Sequence, residues 1–364
     1  MVRHAAEQTV ILIPSLEPDE RLPAYVKKLK EGGFAHIVVV DDGSGEAYQS
    51  IFSEIEAVED TVVLHHEVNK GKGIALKTGY QFIMKNLPEI TGVITADADG
   101  QHSVTDCLRL AKELENGKRA LYLGSRDFNL DNVPPKSRSG NKITSAIFKL
   151  LYGQYLPDTQ TGLRGFRKEE LPFMAEVEGE RYEYEMKVLI ACSRARIPMI
   201  PITIETIYEN SNEGTHFHPI RDSWRIYKVI FGSFFKFMAS SLSCWVLDQG
   251  LFNLLNLAVF ANGEKKSGTI ILLSTVISRM VSATVNFLIN RKYVFGERGR
   301  LGKSFIKYVA LCAVIMLLSA GGTWLLSSIG MSSTIAKLLT DAALYFASYR
   351  FQERWVFRED AVNE

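Results

Sequence analysis

The sequence predicts an α/β domain with a Rossmann-like, mostly parallel sheet, followed by an all-α transmembrane domain of four helices. Two observations lead to this fold class. Up to about residue 225, short apolar runs rich in β-branched residues alternate with helical patterns, which is typical of parallel strands joined by right-handed crossovers. Beyond that point, long stretches are nearly free of charge, as membrane-spanning helices are.

Each predicted strand of the first domain is a short apolar run that ends at a turn. Strands are predicted over residues 9–14, 36–40, 61–65, 92–96 and 120–124. Helices are predicted over residues 20–30, from 69–73 to about 86, and from the capping residue Ser103 to 116. The carboxyl ends of parallel strands meet at one edge of the sheet, where open α/β sheets bind ligands.

Two carboxylates end the fourth predicted strand. Asp97 and Asp99 follow an apolar run and point to the same face if strand geometry continues to them. Two aligned carboxylates bind a hard divalent cation, which readily bridges substrate phosphates. Taken alone, the pair is better explained as a solvated turn, and only the other motifs raise the metal interpretation above it.

Two further segments carry candidate nucleotide contacts. Asp41 and Asp42 follow the second strand, where a carboxylate can hold the ribose or base, although an ordinary Asp- and Gly-rich turn explains them equally well. Residues 70–73 open the next helix and resemble a phosphate loop, with Lys72 as the candidate donor contact, but the full P-loop spacing is missing. Solvated lysines at a helix start are the alternative there.

Composition sets broad limits. The 364 residues are long enough for two domains, and 42 Lys and Arg against 41 Asp and Glu give no indication of nucleic-acid binding. Four scattered cysteines without metal-type spacing suggest reduced packing residues in or facing the cytosol. The polar first nine residues contain no signal peptide, so we expect a cytosolic first domain.

The order of short motifs resembles that of a known enzyme family. VVVDDGS, NKGKG, DADGQH, GSR and DTQTGLRGF follow one another within roughly residues 8–230. This set is similar to family-2 glycosyltransferases with a GT-A fold, and most of all to polyprenyl-phosphate glycosyltransferases such as dolichol-phosphate mannose synthase. The resemblance implies inverting transfer of a hexose from a nucleotide-diphosphate sugar to a polyprenyl phosphate, with Mg²⁺ or Mn²⁺ as the cofactor.

The resemblance also implies roles for individual residues. It places Pro14, Asp41 and Asp42 at the donor nucleotide, Asp97, Asp99 and Gln101 at the metal and diphosphate, and Arg126 and Arg138 at the acceptor phosphate. The aromatic residue, Asn and Glu that often follow the proline in the family are replaced here by Ser15, Leu16, Glu17 and Pro18. Glu17 would therefore have to contact the nucleotide from a shifted position.

The chemistry explains why these residue types are needed. Negative charge develops on the leaving diphosphate, and a cation held by Asp97 and Asp99 would neutralise it. The acceptor phosphate has a second pKa near ~6, so it is a nucleophile without a strong general base. Arginine stays charged and binds phosphate bidentately, which suits Arg126 and Arg138. Arg221 is a third candidate, for which a surface role is the preferred explanation.

Four further residues are candidates for contacts with the sugar. Glu183 and Glu185 precede an apolar helix and could accept hydrogen bonds from sugar hydroxyls, or they could stabilise the positive end of that helix. Asp158 and Gln160 lie in a loop that we expect to close over the donor, with turn formation as the competing explanation.

Two segments are candidates for the membrane interface. Apolar residues at helical spacing form a stripe at Ile143, Ile147, Leu150 and Leu151, for which a core-facing helix is preferred over an interfacial one. The basic segment 219–231, with Trp224 and Tyr227, is the better interfacial candidate.

The second domain is predicted to cross the membrane four times. The apolar stretches lie at about 237–260, 268–289, 308–329 and 333–350. The loop between the second and third spans and the C-terminal segment are rich in Arg and Lys, which places both termini and the catalytic domain in the cytosol of a multi-pass cell-membrane protein.

The membrane domain contains a repeat. NFLINRKYVF, which begins at residue 286, and SYRFQERWVF, which begins at residue 348, both close a helical hairpin. This looks like the GtrA family of four-helix membrane domains. Charges inside the spans should be paired because burying them alone is costly, and the predicted pairs are Asp248 with Arg279 and Lys337 with Asp341.

The resulting hypothesis has three segments: a cytosolic GT-A domain over residues 1–218, an interfacial helix over 219–232 and a GtrA-like domain over 233–364. The expected partners are a nucleotide sugar, a polyprenyl phosphate and the membrane, with the oligomeric state left open. The alternatives are a transferase for another membrane acceptor, or a lipid-linked-sugar translocase whose first domain only binds nucleotide sugar.

Overall fold

The computed structural model describes residues 2–115, 117–129, 133, 135–205, 219–260, 268–296 and 300–357. Within them the chain forms two compact units, Met1–Ile230 and Phe231–Glu364. The first unit is an α/β domain and the second is helical, as the sequence predicts.

The first unit contains one sheet of seven described strands. They are β1 (Thr9–Ser15), β2 (His36–Asp41), β3 (Thr61–His65), β4 (Gly92–Thr95), β5 (Leu121–Arg126), β6 (Arg164–Arg167) and β7 (Met199–Ile204). Their order across the sheet is β3-β2-β1-β4-β6-β5-β7. All neighbours are parallel except β6, which is antiparallel to both β4 and β5.

The predicted strands are confirmed to within two residues at each end, and two strands were not predicted. β7 was not considered. β6 follows the predicted donor loop, and its four residues with arginine at both ends show no alternating pattern that would predict a strand. The insertion of β6 separates β4 from β5, so the carboxylates after β4 and Arg126 at the end of β5 do not lie on adjacent strands.

Eight α-helices accompany the sheet among the described residues of the first unit, besides the start of the helix Pro219–Phe260. They are α1 (Val2–Glu7), α2 (Arg21–Glu31), α3 (Gln49–Glu56), α4 (Lys72–Asn86), α5 (Val104–Glu115), α6 (Pro135–Tyr152), α7 (Leu171–Glu176) and α8 (Glu183–Ala195). Ser103 caps α5 as predicted, since its hydroxyl oxygen accepts the Asp106 N–H at 3.1 Å. Buried aliphatic and aromatic side chains from β1, β2, α2 and α5 form the main core.

Part of the apolar stripe on α6 lies outside the core. Ile143 and Leu150 are 53% and 56% exposed, while Thr144, Phe148 and Leu151 are buried. The prediction that this stripe faces the core is therefore wrong for Ile143 and Leu150 and confirmed for Leu151. The inward polar residue is satisfied locally, because the Thr144 hydroxyl donates to the Gly140 carbonyl oxygen at 2.9 Å, so the helix can bury a partly polar face.

The second unit is built from long helices. They are α9 (Pro219–Phe260), whose first residues belong to the first unit, α10 (Gly268–Ile289), α11 (Leu301–Ser328) and α12 (Ser333–Phe351). α9 runs unbroken through residues 219–232, so this segment is not a helix of its own. Short π-helical turns, Asn290–Val294 and Gln352–Val356, follow α10 and α12.

Three of these helices are long and apolar enough to cross a membrane, judged on the described residues. The candidate spans are Ile226–Leu255, Ile271–Val294 and Leu301–Ser328, of which the second includes the π-helical turn after α10. The fourth predicted span forms α12, which carries Lys337, Asp341 and Arg350. Both predicted ion pairs are confirmed: Arg279 Nη2 lies 3.4 Å from Asp248 Oδ2, and Lys337 Nζ lies 2.7 Å from Asp341 Oδ2.

Candidate active site

The candidate site lies at the carboxyl ends of the parallel strands. In the sheet register, Ser15 of β1 is paired with Asp41 of β2, and Asp41 is paired with His65 of β3. Pro14 is buried in β1 next to this edge. The exposed Glu17 follows in a left-handed conformation, φ 49°, and its N–H donates to Ser44 Oγ at 2.8 Å. The register thus brings the predicted nucleotide contacts of the first two strands together.

Asp41 and Asp42 each hold neighbouring backbone. Asp41 Oδ1 accepts the Ser44 N–H at 2.9 Å, and its Oδ2 lies 2.9 Å from His65 Nδ1. Asp42 accepts the N–H groups of Lys70 at 3.0 Å and Gly71 at 2.7 Å. Both carboxylates are buried, so in this structure they shape the turn and anchor the loop before α4. Their direct contact with a nucleotide stays a prediction.

The loop before α4 brings Lys72 to the end of β4. Lys72 Nζ lies 2.7 Å from Asp97 Oδ1 and 3.1 Å from Glu185 Oε1. The other Asp97 oxygen lies 3.2 Å from His102 Nε2. The Lys72 ammonium therefore links Asp97, which follows β4, to Glu185 in the first turn of α8. These two elements are remote in sequence.

These charges change the ionisation of the two acids after β4. Burial alone would raise the pKa of Asp97, but the positive charges of Lys72 and His102 outweigh it and hold that pKa well below its usual range. Burial and the Asp97 charge together raise the pKa of Asp99. The Asp99 carboxylate is thus the member of the pair that most lacks compensating positive charge.

The donor set fits Mg²⁺ or Mn²⁺. Two carboxylates and the Gln101 amide offer hard oxygen ligands, and a bound cation would offset the burial and the Asp97 charge that raise the pKa of Asp99. The backbone of Gln101 is bound to Asp99, because Asp99 Oδ1 accepts the Gln101 N–H at 3.0 Å. No group of three His, Cys, Asp or Glu side chains is preassembled around a metal position among the described residues, so waters and donor phosphates would complete the coordination.

Arg126 is held by Asp158 at the end of β5. Arg126 Nε donates to Asp158 Oδ2 at 2.7 Å and Nη2 to Oδ1 at 3.2 Å. The Asp158 side chain is 0% exposed, whereas that of Arg126 is 31% exposed. Asp158 thus orients Arg126 in this structure, and its contact with the sugar stays a prediction.

The remaining predicted residues are scattered around these centres. Arg138 lies half-buried near the start of α6, and Gln160 is exposed, with its N–H donating to Asp158 Oδ1 at 3.0 Å. Glu183 Oε1 accepts the N–H groups of Glu180 and Arg181 at 3.1 and 3.2 Å, which favours the helix-start explanation for this residue. The side chain of Arg221 lies outside the described residues.

Three polar residues of the site were not singled out by the sequence analysis. His102 contacts Asp97 and stands inside the DADGQH motif, so its position next to Gln101 was a usable signal. His66 Nδ1 lies 2.8 Å from Asp42 Oδ1, and the only sign of it was its place at the end of a strand. The buried Arg164 donates from Nη1 to the Glu185 carbonyl oxygen at 2.8 Å, which no local pattern reveals.

Comparison with known proteins agrees with this organisation. The model of glycosyl transferase family 2 matches residues 10–171, and that of the GtrA/DPMS transmembrane domain matches residues 236–357. An uncharacterized protein of Methanocaldococcus jannaschii is 32% identical over 206 residues, which are 56% of this chain and 82% of that protein.

Two named proteins are also similar. UDP-N-acetylglucosamine–dolichyl-phosphate N-acetylglucosaminyltransferase of Methanococcus voltae is 30% identical over 215 residues, 54% of this chain and 85% of that protein. The crystal structure of glucosyl-3-phosphoglycerate synthase from Mycobacterium tuberculosis with Mn²⁺, UDP and glucosyl-3-phosphoglycerate has a TM-score of 0.47 at 13% identity, and covers 64% of this chain and 83% of that chain.

Three findings agree: the order of the sheet, the motif residues at its carboxyl edge, and two relatives. Each relative is at least 30% identical, and the match covers more than four-fifths of its length. The chain belongs to glycosyl transferase family 2, is a glycosyltransferase, and carries a transmembrane domain of the GtrA/DPMS type behind its catalytic domain.

Proposed function

We propose that this glycosyltransferase moves a hexose from a nucleotide-diphosphate sugar to a polyprenyl phosphate at the cytosolic face of the cell membrane. The observation that carries the proposal is the acid pair Asp97 and Asp99 at the end of β4, with Lys72 bound to Asp97. Such a site suits a donor whose leaving group is a diphosphate. The similarity to an enzyme named for a dolichyl-phosphate acceptor supports the same reaction class.

The donor side of the proposal depends on charge. Asp97, Asp99 and Gln101 would hold Mg²⁺ or Mn²⁺, which supplies positive charge to the leaving diphosphate as a Lewis acid. Lys72 adds a fixed ammonium beside the same acids. Pro14, Glu17 and the turn at Asp41 and Asp42 border the place for the nucleoside, at the ends of β1 and β2.

The acceptor side depends on arginine. Arg126 presents a partly exposed guanidinium whose orientation is fixed by Asp158, and Arg138 belongs to the helix with the exposed stripe of Ile143 and Leu150. The guanidinium would bind the acceptor phosphate, and the exposed apolar side chains would contact the prenyl chain. These two features fit an acceptor that is both anionic and lipidic. Arg221, on α9, is kept as a third proposed contact.

The proposed step conserves charge without a general base. An oxygen of the acceptor phosphate attacks the anomeric carbon, a new carbon–oxygen bond forms, and the bond from that carbon to the donor diphosphate breaks with its electron pair on the diphosphate. The arginines bring the anionic nucleophile to the anionic donor, which would otherwise repel it. Inversion at the anomeric carbon follows from a single displacement.

The membrane topology is proposed from charge distribution. Arg291, Lys292, Arg300, Lys303 and Lys307 flank the connection from α10 to α11, which favours the cytosol for that connection. An even number of crossings then puts the catalytic domain on the same side as this loop. The test is labelling of single cysteines in the loop from intact cells, where cytosolic sites stay unlabelled by an impermeant reagent.

The reaction is tested with the purified full chain. It is incubated with a short polyprenyl phosphate, Mg²⁺ or Mn²⁺, and in turn GDP-mannose, UDP-glucose and UDP-N-acetylglucosamine. We expect nucleotide release and glycolipid formation with one donor. Asp99→Asn should abolish both while the protein stays folded, and Asp60→Asn, in a surface turn before β3, should retain them; near-normal turnover of Asp99→Asn would refute the metal role.

The same assay separates the alternatives. A translocase with a nucleotide-sugar-binding module would release no nucleotide when lipid phosphate and donor are both present. A transferase for another membrane acceptor would release nucleotide with that acceptor and not with polyprenyl phosphate.

A further inference from the structure

Lys72 bridges two carboxylates at the candidate active site. Its ammonium lies 2.7 Å from Asp97 Oδ1 and 3.1 Å from Glu185 Oε1, and its side chain is only 17% exposed. The backbone on its N-terminal side is fixed, because Asp42 accepts the N–H of Gly71 at 2.7 Å. The ammonium is thus an ordered, partly dehydrated charge between two carboxylates.

Asp97 has little freedom to accept a second cation in this arrangement. One oxygen is bound by Lys72, the other lies 3.2 Å from His102 Nε2, and Gly162 packs against the carboxylate. An ammonium and a divalent cation on the same oxygen repel each other strongly in a partly buried site. Metal binding through Asp97 therefore requires Lys72 to leave it.

Glu185 provides the anchor for such a movement. Its carboxylate is 14% exposed, and it begins α8, so it is held independently of the loop after β4. A lysine has a flexible four-carbon chain and a point charge, and can release one carboxylate while remaining paired with another. Released from Asp97, the ammonium can pair with a donor phosphate.

We propose that Lys72 is a placeholder cation, which neutralises Asp97 until a divalent cation and the donor bind and then turns, still paired with Glu185, to the donor diphosphate. The inference rests on the proposed function, because it assumes that Asp97 and Asp99 bind the metal. It makes the two ligands cooperative: the nucleotide draws Lys72 away and so strengthens metal binding, and by reciprocity the metal strengthens nucleotide binding.

The test measures Mn²⁺ binding directly, by electron paramagnetic resonance of free Mn²⁺ over the full chain in detergent, with and without UDP and GDP. We expect the wild type to bind Mn²⁺ at least about ten-fold more tightly with the nucleotide than without it. Lys72→Met should bind Mn²⁺ alone about ten-fold more tightly than the wild type, and should lose most of the nucleotide effect. Lys85→Met, at an exposed lysine in the last turn of the same helix, is the matched control and should behave as the wild type.

Two outcomes overturn the placeholder role. One is equal or weaker Mn²⁺ binding by Lys72→Met in the absence of nucleotide. The other is an Mn²⁺ affinity of the wild type that does not change when UDP or GDP is added. This outcome is decisive even if Lys72→Met and its polar counterpart Lys72→Gln both fail to fold. Failure of the proposed function gives a different result, since the wild type would then bind no Mn²⁺ at all with a nucleotide, or Asp99→Asn would bind it normally.

Discussion

Gly162 lies directly against the carboxylate of Asp97, so closely that a Cβ added to this glycine would overlap both carboxylate oxygens. The loop is fixed in that position, because the Thr95 hydroxyl donates to the Gly162 carbonyl oxygen at 2.9 Å. Asp97 cannot retreat on the other side without losing Lys72 or His102. A hydrogen at residue 162 is therefore a condition for the present position of the first acid.

The first prediction follows from this contact. Gly162→Ala should lower kcat/KM by about a hundred-fold or more, because a displacement of about 1 Å at the reacting groups has effects of that size. Mn²⁺ binding should weaken in parallel, which is measured as for Lys72. Gly302→Ala is the matched control, since a Cβ at that glycine in the first turn of α11 meets nothing within 4 Å. Wild-type activity of Gly162→Ala would show that Asp97 need not keep its position.

A second prediction concerns the pair Arg126 and Asp158. Arg126→Met leaves a fully buried carboxylate without its guanidinium, and should destabilise the protein by about 3 kcal/mol. Transfer activity should also be lost if Arg126 binds the acceptor phosphate. The single variant cannot separate these two effects, because a loss of turnover could come from lost stability or from lost acceptor binding. Thermal unfolding measures the stability and the transfer assay measures the turnover.

The double variant separates the effects. Arg126→Met with Asp158→Asn removes the buried charge together with its partner, and should recover most of the lost stability. The KM for polyprenyl phosphate should nevertheless stay raised, because the guanidinium is still absent. Recovery of the wild-type KM in the folded double variant would exclude Arg126 from the acceptor site.

The sequence predicted the framework of this site better than its contacts. Asp97, Asp99 and Asp41 stand at strand ends because apolar runs that stop at carboxylates are readable from the order of residues alone. The salt bridge from Lys72 to Glu185 was not readable, since the two residues are brought together only when α4 and α8 pack side by side. The pairing of Asp158 with Arg126 was not readable either. It depends on the order of the strands in the sheet, which the residues of the loop around Asp158 do not reveal.

A third prediction concerns the pH response of His65. Burial tends to lower the pKa of this imidazole, but its hydrogen bonds to Asp41 and Glu56 outweigh burial and raise that pKa. The raised pKa means that protonation stabilises the fold: the contribution is full below the pKa of the unfolded chain and is lost as the pH rises through the higher folded value. Since the ring is 46% exposed, we expect a contribution below about 1 kcal/mol.

The His65 pKa is measured by NMR titration of the histidine-labelled full chain, with the resonance assigned by its loss in His65→Gln. The midpoint should lie above 6.5, the ordinary value for histidine. It should fall in Glu56→Gln, which removes one carboxylate on the surface and leaves Asp41 in place. A midpoint at or below the ordinary value in the wild type would contradict the charge pairing seen here.

The two copies of the membrane repeat meet each other, a relationship that the sequence pattern alone did not predict. Asn290 and Gln352 occupy the same position in the two copies, and so do Phe295 and Phe357. Asn290 Nδ2 donates to Gln352 Oε1 at 3.0 Å, and the two phenylalanine rings stack with centroids 5.1 Å apart. The repeat thus predicted matching hairpin ends, while their contact depends on how the turns that follow α10 and α12 meet in the fold.

The last prediction tests this amide pair. Asn290 is fully buried, and replacing it alone with leucine removes the hydrogen bonds that its amide donates to Gln352 Oε1 and Asn286 Oδ1, which should destabilise the membrane domain by about 1–2 kcal/mol. Asn290→Leu with Gln352→Met removes both polar groups, and should be nearly as stable as the wild type, because an apolar pair of similar volume leaves nothing unsatisfied. A double-mutant cycle of detergent-induced unfolding measures the coupling between the two positions. Additive effects of the two substitutions would show that the two amides do not stabilise one another.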